Sequence, residues 1–137
     1  MFSVTSGAAA PKSIGKGAID YRRVGSSRLL VSKSRTPDTT ADTADAIADG
    51  HSDVLNRLEG RLKISANRRA ALGGQSVPNP GQSLDEYPFA SSQRGGAGAC
   101  VLAVPREEQA IQGGKLSQFY QTYNLKRGDP FRVEIVE

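Results

Sequence analysis

Ser83-Leu84-Asp85-Glu86-Tyr87-Pro88-Phe89-Ala90 is the stretch on which the reading of this chain turns. Two adjacent carboxylates are followed by an aromatic, a proline and a second aromatic. The segment lies between a turn-rich run, Val77-Pro78-Asn79-Pro80-Gly81, and a glycine-rich run, Arg94-Gly95-Gly96-Ala97-Gly98. A surface loop has no need of Tyr87 and Phe89. A core has no need of Asp85 and Glu86. Together they place carboxylates at the edge of a packed body, where a metal or a catalytic base belongs. The competing reading is an exposed acidic turn ahead of a strand.

Working outward, residues 98–104 form a continuous apolar run between glycine and Pro105, which reads as a central strand buried on both faces. Arg106-Glu107-Glu108 reads as a turn. Residues 109–120 read as a helix interrupted by Gly113-Gly114, and residues 131–136 alternate as a half-buried final strand. Upstream, residues 60–72 predict a basic helix carrying Arg61, Lys63, Arg68 and Arg69 and no acid. Its charge equals the +4 of the whole chain. A short helix is expected over residues 52–58, and another over 39–49 with Thr39 or Thr40 as its cap and Asp42 and Asp45 favouring its positive end. Arg28-Leu29-Leu30-Val31-Ser32 reads as the first strand. Residues 1–19 are Gly/Ala/Ser/Lys-rich and read as a flexible lead-in, with order beginning near Ile19-Asp20-Tyr21; residues 1–27 together stand ahead of the domain as a flexible lead-in or linker. The order of elements predicts a small α+β domain over residues 28–137, with a mainly antiparallel sheet and helices on one side.

Bulk composition narrows the function. A chain of 137 residues with 37% apolar residues and no tryptophan forms one domain with a small core. One cysteine, Cys100, excludes an internal disulfide and reads as a small buried apolar residue. No run approaches the ~20 apolar residues of a membrane span, and the start of the chain lacks the features of a secretory signal. One Cys and one His cannot furnish a zinc site. The glycine-rich run precedes a strand rather than following one, which is the wrong order for a nucleotide-binding loop. What remains is a hard-cation site of oxygen ligands. Asp85 and Glu86 supply carboxylates, and Gln109 and Gln112 supply amide oxygens one helical turn apart. Mg²⁺ suits few protein ligands completed by water and phosphate. Arg68 and Arg69 are candidate contacts to backbone phosphates, which would make binding sequence-independent and salt-sensitive.

The ordered pieces resemble a known family. Asp49-Gly50-His51-Ser52-Asp53-Val54, Asn67-Arg68-Arg69, Asp85-Glu86-Tyr87-Pro88-Phe89-Ala90, Gln112-Gly113-Gly114 before Leu116, and Gly128-Asp129 before the last strand are similar to the NucA/NucB bacterial non-specific deoxyribonucleases. The resemblance runs from Arg28 to the end. It implies a metal-dependent endonuclease with a site related to the ββα-metal nucleases, Mg²⁺ or Mn²⁺ as cofactor and DNA as partner. It carries the general-base role to Asp85, with Glu86 and His51 as further catalytic candidates and Gln109, Gln112 and Glu86 as metal ligands. The chain departs from the family pattern at Ser83, where an Asp is usual, and at Gln109, where an Asn is usual. The extra methylene of Gln109 displaces its amide oxygen by about 1.5 Å. Paired cysteines found in secreted members are absent near Leu55 and Ser92, which fits a reducing compartment.

These features suggest the toxic domain of an antibacterial effector, monomeric, carried by a secretion system into a target-cell cytoplasm and neutralised by an immunity protein. The alternative is a nuclease-like module, catalytically weakened at Ser83 and Gln109, that binds nucleic acid or a protein.

Overall fold

The computed structural model describes residues 27–137. The expected lead-in, including Ile19-Asp20-Tyr21, lies outside them apart from Ser27. In chain order the elements are β1 (Arg28–Ser32), α1 (Pro37–Ala48), β2 (Val54–Asn56), α2 (Arg61–Leu72), β3 (Gln82–Tyr87), β4 (Cys100–Pro105), α3 (Arg106–Thr122) and β5 (Pro130–Val136). This is an α+β fold with mostly antiparallel strand pairing. The strands divide between two small sheets. In one, β5 is the middle strand, parallel to β1 and antiparallel to β2. In the other, β3 pairs antiparallel with β4, with Asp85 opposite Leu102.

The core joins both sheets. Phe131 of β5 is fully buried, with ring centroids 5.4 Å from Phe119 and 5.6 Å from Tyr120 of α3. Tyr87, the last residue of β3, and Phe89 just beyond it meet edge-to-face at 5.2 Å in the same cluster. Such pairs add to the burial of large apolar area. The alternation expected for the last strand holds over residues 131–134, where Phe131 and Val133 are buried and Arg132 and Glu134 half-buried, and fades at Ile135 and Val136, which are both half-buried.

Four local expectations differ from the structure. Residues 52–58 are not a helix; Val54 and Leu55 are consecutive buried positions of β2, paired with Arg132 and Phe131. Adjacent apolar side chains, buried on opposite faces, are what a short strand covered on both sides requires. The apolar run at 98–104 is not a central strand, because β4 has only β3 beside it, and Leu102 is 40% exposed. Cys100 is correspondingly only half-buried. Gly113-Gly114 do not interrupt α3, and Arg106-Glu107-Glu108 form its first turn instead of a loop. The acids there favour the positive end of the helix. The first helix begins at Pro37 and its cap is Thr36, not Thr39 or Thr40.

That cap residue makes no side-chain cap bond. Glu108 of α3 takes its place, accepting hydrogen bonds from the backbone N–H groups of Asp38 (2.8 Å) and Thr39 (3.1 Å). Two of the orphan donors of α1 are thereby satisfied by another helix. The inward face of α1 is polar. Thr36, Thr39, Thr40 and Thr43 recur at helical spacing and are buried. Their hydroxyls donate to backbone carbonyls, Thr43 to Thr39 at 3.1 Å and Thr40 to Ser32 at 3.0 Å. This stripe leads to Asp42, which is 4% exposed.

Candidate active site

A cleft of about 600 Å³ lies between α2 and α3, with Asp85 and Glu86 of β3 in its wall. Gln109, Gln112, Gly113, Leu116, Ser117 and Tyr120 line it from α3. Their offsets from Gln109 of three, four, seven, eight and eleven residues trace one face of one helix. Gly60, Ile64 and Arg68 line it from the opposite side.

Asp85 is 1% exposed. Its Oδ1 accepts a 2.6 Å hydrogen bond from Gln112 Nε2. The Asp42 carboxyl group, which arrives from α1, stands against it. Oδ2 of each aspartate is buried with no hydrogen-bond donor, an arrangement that favours a protonated acid over two adjacent carboxylates. Burial pushes Asp85 up to about 9, helped by the hydrogen bond and charge of Asp42, against the pull of Gln112 and Arg68. Burial pushes Asp42 up to about 6, opposed by its hydrogen bond to Asp85.

Glu86 is the next residue of the strand and so points to the other face. Both its oxygens accept from Arg68 Nη1 at 3.0 Å, and Arg68 Nη2 reaches the Leu84 carbonyl. Burial raises the Glu86 carboxyl, and the Arg68 guanidinium restrains the rise. Arg68 therefore enters the cleft as half of an ion pair. Arg69 is exposed and does not line the cleft. The neighbouring Asn67 docks α2 on the loop after β3, donating to the carbonyls of Ala90 (3.0 Å) and Ser92 (3.3 Å).

His51 follows α1 outside the cleft lining, half-buried, with its backbone N–H on the Ala46 carbonyl. The next carbonyl, that of Ser52, accepts from the Tyr87 hydroxyl at 2.8 Å. That bond links the loop around His51 to the end of β3 without bringing the histidine into the cleft. Ser83 is half-buried on the same strand face as Asp85.

The structure thus brings Asp85, Glu86, Arg68, Gln109 and Gln112 together and leaves His51 and Arg69 apart. It also adds Asp42, which in the sequence stands only as a helix-end charge. The threonine spacing around it, a polar stripe at a period of three and four, was the available signal that this face is buried.

A hard cation fits this set in part. Oε1 of Gln109 is a buried acceptor with no donor, beside a cleft that also holds Asp85. Among the described residues there is no cluster of three or more His, Cys, Asp or Glu that could enclose a metal. An amide oxygen completed by water and phosphate is what Mg²⁺ accepts; an all-protein cage is not its usual site.

A buried acid beside an open groove, with a basic helix as one wall, is an arrangement that suits an anionic substrate. Residues 38–134 match the family model described as Deoxyribonuclease NucA/NucB, and the chain belongs to that family. It is accordingly a nuclease of the DNase type. No curated protein matches the chain. Among the described residues, no helix is long and apolar enough to cross a membrane.

Proposed function

We propose that this domain is a metal-dependent, sequence-non-specific endonuclease that hydrolyses DNA phosphodiester bonds. The observation that carries the reading is Asp85, a buried carboxyl group of the Asp-Glu-Tyr-Pro element with access to the cleft. Asp85, once ionised, takes a proton from the water that attacks phosphorus. The proton that burial and Asp42 favour on Asp85 must leave first. Asp42 behind it and Gln112 beside it hold the carboxyl group in place. The Glu86–Arg68 pair fixes the wall, and the exposed cations of α2 draw in the backbone. Gln109 and Gln112 are the residues that would hold Mg²⁺ or Mn²⁺; Glu86, already taken by Arg68, adds charge nearby. When bound, the ion supplies stabilisation for the charge developing on the leaving oxygen.

Plasmid nicking with Mg²⁺, with EDTA and with Asp85→Ala is the test. Wild type should nick only with a divalent ion, and Asp85→Ala should not nick. A wild type that leaves plasmid intact with every divalent ion tried, yet binds DNA at low salt, would favour the weakened binding module. We further propose the setting to be that of an antibacterial effector toxin, acting as a monomer in a target cell and held in check by an immunity protein. Expression of the domain in a bacterial cytoplasm should then stop growth and degrade the chromosome, and Asp85→Ala should be harmless. Unimpaired growth with active protein present would end that part of the proposal.

A further inference from the structure

Among the described residues, Arg57 and Arg68 are the two cations that line the cleft, and they differ in what holds them. Arg68 is neutralised by a carboxylate that is 6% exposed. Arg57 has an ionic partner in Glu59 at 3.4 Å, whose side chain is 39% exposed, and such pairs are weak and exchangeable. The rest of its hold is not ionic. Its guanidinium stacks on the Tyr120 ring, 4.6 Å from the centroid, and its Nη1 donates to the Leu125 carbonyl. Its backbone is pinned on both sides, the N–H to Asp129 and the carbonyl to Gly128. Nε is a buried donor without an acceptor. A rigid, planar cation at the side of a groove, with an exchangeable ionic partner, suits a phosphate.

Its place along the groove says which phosphate. Gln109 and Tyr120 are eleven residues apart on one face of α3, which corresponds to about 16 Å of helix rise. Arg57 lies at the Tyr120 end, and Asp85 is bonded to Gln112 near the other. We propose that Arg57 binds a backbone phosphate flanking the scissile one, so that the cleft takes a nucleic-acid strand lengthwise along α3. This rests on the nuclease reading above, and it adds a second subsite remote from the reacting atoms. Glu59 swings into solvent when the phosphate arrives.

A length series of single-stranded DNA, from the shortest oligonucleotide that wild type cuts up to a dodecanucleotide, tests it. For wild type, kcat/KM should rise with length. For Arg57→Gln the rise should be flattened, reaching about tenfold below wild type on the longest substrate, mainly through KM, and matching it on the shortest. Arg57→Lys should recover part of the loss. In an Asp85→Asn background, adding Arg57→Gln should lower the salt slope of dodecanucleotide binding by about 0.7, the contribution of one phosphate on a single strand. A loss that is equal at every length, or no loss, overturns the inference. Wild type that cuts no DNA would sink the nuclease reading alone, since the binding comparison with and without Arg57→Gln would still decide whether this phosphate site exists.

Discussion

Asp85 and Asp42 set a conflict within a single contact. Each is a carboxylic acid that burial drives toward its neutral form, to about 9 and about 6 from a common 3.8. A carboxyl group raised in the folded state contributes stability that is complete below its unfolded value and is lost as pH rises through the folded one. The window here runs from about pH 4 to about pH 9, and the raised Glu86 acts in the same direction. The domain should therefore melt at lower temperature at pH 9 than at pH 5. Asp85→Asn keeps the shape of the neutral acid and should flatten this dependence, gaining on the order of 1–3 kcal/mol at pH 9. The same change should lower plasmid cleavage by at least about 100-fold. Thermal melts at the two pH values and one nicking assay check both halves. Asp85 is legible in the sequence because two acids beside Tyr-Pro-Phe are anomalous in any bland context. Asp42 is not, because an aspartate in the first half of a helix has an ordinary explanation in the helix dipole. Only the fold shows that this aspartate faces inward.

At the scale of elements, α1 and α3 are coupled by Glu108, whose carboxylate satisfies two N–H groups at the start of α1. Glu108→Ala should cost about 0.5–2 kcal/mol, in the range of a lost helix cap. In α3 itself, Gly114 is exposed, and a Cβ there would meet nothing within 4 Å. Gly114→Ala should therefore stabilise by about 1 kcal/mol, since glycine costs about that much in a helix interior. Urea titrations of the two variants should move in opposite directions. Gly113 is equally uncrowded but lines the cleft, where a missing side chain leaves room for a substrate backbone. The double glycine reads as a break in the sequence because its local cost is real. It forms helix because Phe119 and Tyr120, further along the same helix, are anchored on Phe131. The basic helix at 61–72 and the strands at 28–32 and 130–136 were legible from caps, turns and alternation. β2 was not: three residues are too few to show a period, and its identity is decided by its pairing with β5, the last strand of the chain.

Across the whole molecule, charge is unevenly placed. The cations Arg61, Lys63 and Arg69 are exposed on α2, which carries no acid. With Arg57 they make four candidate phosphate contacts, so log K for duplex DNA should fall against log salt with a slope of roughly −3 to −4. Fluorescence anisotropy with Asp85→Asn protein and a labelled duplex measures it; a slope near zero would place DNA elsewhere. The total of +4 could be read from composition. Its concentration on the helix at 60–72 could be read as well, but the pairing of Arg68 with Glu86 could not, because it depends on how α2 docks through Asn67.

The parallel pairing of β1 with β5, Arg28 beside Arg132 through Ser32 beside Val136, has a mechanical consequence. Tension applied through the start of β1 and the end of β5 pulls neighbouring parallel strands past one another. The rungs of that ladder are loaded together in shear and cannot be peeled open one at a time. In an optical trap, this domain should rupture at a higher force when pulled from residues 28 and 136 than when pulled across the antiparallel β3–β4 pair, from residues 82 and 105, where the rungs open in sequence. A machine that draws the chain through a narrow pore from either end would meet the stronger direction first.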